Sequence, residues 1–232
     1  MKTIGLLGGM SWESTLGYYR AINEGVKQAL GGLHSAKIVL HSVDFAPIEA
    51  MQQQGDWNGT ARILSEAAVG VQAGGADFIL LCTNTMHKVM PQIEDAIDIP
   101  VLHIADATAE VLLGEGIDTV GLLGTAFTME QDFYTGRLFG RHGLQVLVRG
   151  VSDRRLVHPV IFKELCLGVT RPESKREYLR IIDMLAAQGA QAVILGCTEI
   201  AMLIEQHDTP VMLVDTTAVH AQKAVLMALT ES

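Results

Sequence analysis

One passage of this chain occurs twice. Gly75-Ala76-Asp77-Phe78-Ile79-Leu80-Leu81 runs into Cys82-Thr83-Asn84-Thr85, and Gly189-Ala190-Gln191-Ala192-Val193-Ile194-Leu195 runs into Gly196-Cys197-Thr198-Glu199. The two Gly-Ala starts lie 114 residues apart in a chain of 232. Upstream of the first copy, Leu64, Ala67, Ala68 and Val71 recur at helical spacing, and the same offset gives Tyr178, Ile181, Ile182 and Leu185. Thr3-Ile4-Gly5-Leu6-Leu7-Gly8 is echoed by Thr119-Val120-Gly121-Leu122-Leu123-Gly124, and Asp98-Ile99-Pro100-Val101 by Asp208-Thr209-Pro210-Val211. One such match could be chance among glycine-rich strands. An ordered set at similar offsets is an internal duplication, and it predicts two similar lobes whose polar turns converge on one cleft.

The pattern also predicts the class of fold. Continuous apolar runs at 3–7, 37–42, 78–81, 101–104, 120–123, 145–148, 193–195 and 211–214 alternate with amphipathic helical stretches at 14–30, 60–73, 105–113, 130–142, 160–167, 174–188 and 217–229. Strands apolar on both faces belong in parallel sheets covered by helices. The expectation is therefore α/β, with two pseudo-symmetric lobes that each carry a parallel sheet flanked by helices. The first lobe is expected to hold residues 1–104, closed by the C-terminal segment 212–232, and the second residues 105–211. Ligands of such sheets sit beyond the carboxyl ends of the strands. That directs attention to the turns at 8–11, 44–52, 82–85, 125–128 and 197–199.

Composition narrows the partners. A net charge of −9 without a Lys/Arg stripe argues against nucleic acid. No apolar run approaches the roughly 20 residues of a bilayer span, and no basic stretch followed by an apolar signal core opens the chain, so a cytoplasmic protein without a membrane partner is expected. Cys82, Cys166 and Cys197 are odd in number and lack metal or Cys-x-x-Cys spacing, which suits free thiols in a reducing compartment. The eight histidines form no convincing ligand cluster, so no metal is expected.

The turns carry the chemistry. Gly5-Leu6-Leu7-Gly8-Gly9-Met10-Ser11 lacks both the Gly-x-Gly-x-x-Gly spacing and the Gly-Lys-Ser/Thr ending of nucleotide loops. It reads either as a turn whose N–H groups hold a carboxylate, with Met10 a candidate contact, or as a plain strand-to-helix connection. Cys197 follows a strand-ending glycine and precedes Thr198-Glu199, which reads as a helix start. A thiol there would feel the positive end of a helix dipole, which lowers its pKa. Cys166, inside an apolar run, reads as a structural cysteine.

Leu81-Cys82-Thr83-Asn84-Thr85-Met86-His87 and Leu195-Gly196-Cys197-Thr198-Glu199, together with Gly-Leu-Leu-Gly-Gly-Met at 5–10, resemble the signatures of the aspartate/glutamate racemase family, and the likeness runs the length of the chain. The resemblance implies a PLP-independent enzyme of two α/β lobes, commonly dimeric. One cysteine per lobe flanks the substrate Cα; one removes its proton and the other returns a proton to the opposite face. The second-lobe cysteine is the one that acts on the L enantiomer.

This chain departs from that pattern at one position. The family places its first cysteine immediately before Asn-Thr, where this sequence has Thr83. The internal repeat agrees, since Thr83 and not Cys82 lies 114 residues before Cys197. Successive side chains at a strand end point to opposite sides, so Thr83 is expected to face substrate and Cys82 to pack away, although a bulge could swing Cys82 in. A threonine hydroxyl is a far weaker acid than a thiol, so the expected enzyme activates L substrates through Cys197 and handles D substrates poorly.

Asn84, Thr85 and Thr198 offer donors for the α-carboxylate or serve merely as helix caps. Glu199 either holds the α-ammonium, orients the thiol or is a simple first-turn acid. Thr125 and Thr128, in the second copy of the glycine turn, and Gln52, after the second strand, are further substrate-contact candidates. No arginine lies in these turns; Lys163 is the candidate cation for an acidic side chain, against the alternative of a solvated helix lysine. His87 could support the first turn or simply be packed, and His103 reads as core. Competing accounts are a single-thiol decarboxylase or cis–trans isomerase of the same superfamily, and a two-lobed small-molecule binding protein.

Overall fold

The computed structural model describes residues 1–230, so the last two residues of the expected segment 212–232 lie outside the described residues. The chain divides into two units, one comprising Met1–Ile104 and the segment from His220 onward, the other Ala105–Val219. Among the described residues the strands form two four-stranded parallel sheets of identical topology.

In the first unit, β1 (Ile4–Gly8) leads to α1 (Trp12–Leu30), β2 (Ile38–Ser42), α2 (Phe45–Gln54), α3 (Trp57–Ala73), β3 (Phe78–Leu81), α4 (Met90–Glu94) and β4 (Val101–Leu102). The sheet order is β2-β1-β3-β4, with Leu7 beside Leu81 and Leu80 beside Leu102. Strand alternation sorts the core into two layers. Leu7, Ile79 and Leu81 pack with Ile48 of α2 and Leu64, Ala68 and Val71 of α3. Ile4, Leu6, Phe78 and Leu80 pack with Tyr18 and Ile22 of α1 and with Ala221 and Ala224 of the C-terminal helix.

In the second unit, α5 (Ile104–Gly114) enters from the boundary, followed by β5 (Thr119–Gly124), α6 (Ala126–Glu130), α7 (Asp132–His142), β6 (Gln145–Leu147), α8 (Val151–Lys163), α9 (Pro172–Ala187), β7 (Ala192–Gly196) and β8 (Met212–Asp215), after which α10 (Thr216–Leu229) carries the chain back into the first unit. The order β6-β5-β7-β8 repeats the first sheet strand for strand. The duplication extends to single contacts. A Cβ on Gly5 would lie 2.5 Å from Val71 of α3, and one on Gly121 would lie 2.9 Å from Leu185 of α9. Val71 and Leu185 are themselves repeat partners, so the same glycine lets the same helix close on the same strand in both units.

Three expectations need correction. The segment from 212 is expected in the first lobe, but β8 pairs with β7 and the division falls at Val219/His220, because Met212–Asp215 completes the second sheet. The helix expected over 130–142 starts at Asp132, because the extended backbone of Gln131 separates it from the short α6 that ends at Glu130. The helix expected over 160–167 starts earlier, at Val151, and gives way to a separate 3-10 turn at Leu165–Leu167.

Candidate active site

Each polar turn is the direct continuation of a buried central strand. Phe78, Leu80 and Cys82 fall on one face of β3, and Cys82 packs into the same apolar layer as Tyr18 and Ile22, with no exposed surface. Burial accordingly pushes the Cys82 thiol pKa up. Thr83 is on the alternate phase, just outside this layer and 8% exposed. The chain then turns through Asn84 into a 3-10 helix at Thr85–Val89, with both Asn84 and Thr85 buried.

The backbone of this first turn is held from several sides. The Ser14 hydroxyl donates to the Cys82 carbonyl at 3.1 Å, and the Cys82 N–H donates to Leu7 at 3.0 Å. His87 meets the Thr83 carbonyl through Nδ1 at 2.8 Å and receives the Ile104 N–H at Nε2, 3.3 Å away. Since Nε2 is the acceptor, the ring proton sits on Nδ1 and is donated to Thr83. Burial, with the neighbouring His103 and His220, holds the His87 pKa well below the ordinary imidazole range.

The glycine turn is bound to the same region. The Gly9 N–H donates to Thr15 Oγ1 at 2.8 Å, and that hydroxyl donates to the Ser11 carbonyl at 2.9 Å. Gly9 has φ of +97°, and a Cβ there would overlap the Val43 carbonyl oxygen, so only glycine lets the turn lie against the end of β2. Met10 is buried in the apolar layer of α2 and α3, and Gln52 is buried near the end of α2, a helix where a turn is expected.

In the second unit β7 ends at Gly196 and Cys197 follows, 8% exposed. Its thiol donates to Glu199 Oε2 at 3.0 Å, and the Thr198 hydroxyl donates to the same oxygen at 2.6 Å. Glu199 is buried, while Thr198 is partly exposed. The expected helix dipole is absent from this site: only a 3-10 turn of three residues, Ile200–Met202, follows. The thiol pKa is correspondingly raised well above its usual value, first by burial and then by the Glu199 carboxylate, with Cys166 close enough to add to the effect. The resting group is a protonated thiol hydrogen-bonded to a buried carboxylate.

Thr125 caps α6, accepting the Thr128 N–H at 3.3 Å, and the two hydroxyls lie 3.2 Å apart. Thr128 is wholly buried, and its Cγ2 would lie 3.4 Å from a Cβ on Gly196. It therefore backs the strand end that carries Cys197. Lys163 is exposed at the end of α8, three positions before Cys166.

Within the first unit the structure thus places Thr83, Asn84 and Thr85 in one buried turn, and within the second it joins Cys197, Thr198 and Glu199. The sequence reading missed the roles of Ser14 and His220, whose partners lie 68 and up to 202 residues away. Among the described residues no group of three or more His, Cys, Asp or Glu side chains is arranged to hold a metal ion, and no helix is long and apolar enough to cross a membrane.

Comparison with known proteins agrees with this architecture. The chain matches the Asp/Glu/hydantoin racemase family over residues 7–224. It is 22% identical over 226 residues to the broad specificity amino-acid racemase RacX of Bacillus subtilis (strain 168), covering 96% of both chains. Its structure superimposes on that of a candidate Asp/Glu racemase from Yersinia pestis with a TM-score of 0.93 and 53% identity, covering 99% of this chain and 100% of the other. An aspartate racemase homologue from Pyrococcus horikoshii OT3 gives a TM-score of 0.86 at 33% identity, again over 99% and 100% of the two chains. With the family pattern spanning nearly all of its length and the same fold in these relatives, the chain belongs to the Asp/Glu/hydantoin racemase family, and it is an isomerase of the racemase type.

Proposed function

We propose that this chain is a PLP-independent amino-acid racemase acting on aspartate, glutamate or a broader amino-acid set, with Cys197 as the base for the L enantiomer and Thr83 at the opposite face of the same Cα. The observation that carries the reading is the Cys197–Glu199 hydrogen bond of 3.0 Å. A thiol must lose its proton before it can take one from carbon, and a buried carboxylate in contact with it is the acceptor that step requires. The proton passes from Sγ to Glu199, the thiolate then takes the Cα proton of the L substrate, and the resulting carbanion is planar. The donors of Asn84 and Thr85 serve the substrate carboxylate, with Gln52 and Thr125 lining the substrate. Thr198 spends its hydroxyl proton on Glu199, Thr128 supports the Cys197 strand end from behind, and Met10 packs against α2 and α3. Lys163 is the cation offered to an acidic side chain.

Reprotonation from the Cys197 side returns the L enantiomer; inversion needs a proton from the Thr83 side. A hydroxyl that donates to a carbanion is left as an alkoxide, which recovers its proton from solvent water, and it is a poor base toward a Cα–H bond, so the D side is the slow side. Exchange with retention at L substrate should therefore outrun inversion. The family resemblance adds a homodimer to this reading, and three free thiols suit the reducing cytoplasm.

The test is proton NMR of L- and D-aspartate and L- and D-glutamate in D₂O, with inversion followed by chiral chromatography. Loss of the Cα–H signal from an L substrate, abolished by Cys197→Ala, is the expected result. Thr83→Cys should raise exchange from the D side at least tenfold. Exchange that survives in Cys197→Ala would remove the thiol from the mechanism, and a D-side rate unmoved by Thr83→Cys would remove Thr83.

A further inference from the structure

We infer that His87 is a positioning residue for Thr83, setting the D-side step without touching substrate. Two carbonyls flank the Thr83 Cα, those of Cys82 and of Thr83 itself, and each accepts a side-chain hydrogen bond. The first comes from the Ser14 hydroxyl at 3.1 Å and the second from His87 Nδ1 at 2.8 Å. With the peptide planes on both sides of one Cα anchored, φ and ψ at that residue are fixed, and so is the direction of its Cα–Cβ bond. The Thr83 hydroxyl is then left only the rotation about its Cα–Cβ bond, which is itself restricted for a β-branched side chain.

His87 cannot itself serve as a base in this arrangement. Nδ1 is spent on Thr83 and Nε2 on the Ile104 N–H, so neither nitrogen is available to substrate. The ring is also braced from behind. His103 lies with its ring centroid 4.4 Å away and His220 at 6.1 Å. His220 in turn bridges the Tyr18 hydroxyl at 2.9 Å and the Leu102 carbonyl at 2.8 Å. The brace ties the first turn to α1, to the end of β4 and to α10.

The device belongs to the first unit alone. The repeat partner of His87 is Ala201, so the Cys197 turn has no imidazole in this place. Thr83 and Cys197 are thus held by different means, and a change at His87 should act on one side of the reaction selectively. The inference rests on the reading that Thr83 serves the D side, and the experiment separates the two.

The readout is the ratio of inversion to L-side Cα–H exchange, measured with L-aspartate and L-glutamate in D₂O. Two conservative variants each keep one of the two bonds. His87→Asn places an amide N–H where Nδ1 donates to Thr83, and His87→Gln places an amide oxygen where Nε2 accepts from Ile104. The expected result is a ratio within about twofold of wild type for His87→Asn and at least tenfold lower for His87→Gln. Equal ratios in all three proteins overturn the inference, as does an equal fall in both variants, which would mean that the ring only fills space. Absence of L-side exchange from the wild-type protein would instead refute the functional reading on which the inference rests.

Discussion

Replacing Glu199 by Gln should make Cys197 more reactive and the enzyme less active. The Cys197 thiol donates to Glu199 Oε2 at 3.0 Å, so ionising it places two negative charges side by side. Even at the dielectric constant of bulk water, unit charges at that separation repel by about 1.4 kcal/mol, and a buried site is less polarisable than water. Removing the carboxylate charge therefore raises the thiolate population at fixed pH about tenfold or more. The thiolate is the species that iodoacetamide alkylates, so labelling of the Cys197 peptide at pH 7 should accelerate by at least the same factor. Peptide mapping keeps Cys166 apart, and Cys82 is fully buried. Catalysis should move the other way, because labelling reads the free enzyme in equilibrium with water whereas each turnover leaves Cys197 protonated beneath bound substrate. Without Glu199 that proton has no buried acceptor, and L-side exchange should fall by about a hundredfold, in the range typical for loss of a general base. An unchanged alkylation rate and pH profile in Glu199→Gln would show that the carboxylate does not govern the thiol. Exchange at the wild-type rate would show that it is not the proton acceptor.

Cys82→Ala should cost about 1 kcal/mol, as for loss of one core atom's contacts, and leave L-side exchange intact, because the thiol packs with Tyr18 and Ile22. A urea midpoint with a parallel exchange assay checks both halves, and loss of exchange in a stable variant would bring Cys82 back into the site. Acid should destabilise the first unit through its buried histidines. Burial depresses the His220 pKa to about 4 and holds His87 well below its ordinary value, so the unfolded chain binds more protons than the folded one below about pH 6.5. Stability is then fully present above pH 6.5 and falls as pH drops toward 4, by roughly 3 kcal/mol for His220 at the lower limit. His220→Gln should flatten the fall in urea midpoint between pH 7 and 4.5, and an equally steep fall in the variant would refute this origin.

Much of this was legible because the duplication is local in character. The strand-end positions 81 and 195, the glycines at 5 and 121 and the helix stripes ending at Val71 and Leu185 are each set by short apolar patterns, and the structure superimposes their roles. The phase of β3 could also be read, since Phe78, Leu80 and Cys82 alternate with Ile79, Leu81 and Thr83. What escaped depended on partners distant in sequence or on helices that fail to propagate. Thr198-Glu199 has the composition of a helix start, yet the chain makes only a 3-10 turn, so the expected thiol activation by a dipole gave way to suppression by burial and a carboxylate. α2 buries only Ile48 and Gln52, too few to leave a helical stripe. The partnership of His87, His103 and His220 spans more than a hundred residues and has no sequence signature.

The two turns share a template and carry opposite devices. At the first repeat position they have Thr83 and Cys197, two residues on they have Thr85 and Glu199, and two further on His87 and Ala201. The second turn couples a titratable thiol to a carboxylate, whereas the first sets an unreactive hydroxyl in a backbone clamp. This asymmetry cannot bias the final mixture, because enantiomers have equal free energies and kcat/KM must be the same in both directions. It can separate the individual steps. In the L-to-D direction the donor at Thr83 need not be ionised beforehand but must be well placed, which is what a clamp provides. A residue that abstracts needs a route for its own proton, which Glu199 provides. On the proposed reading the division of labour follows from the acidities of the two side chains, and the L-side bias it predicts belongs in kcat, in KM and in the ratio of exchange to inversion.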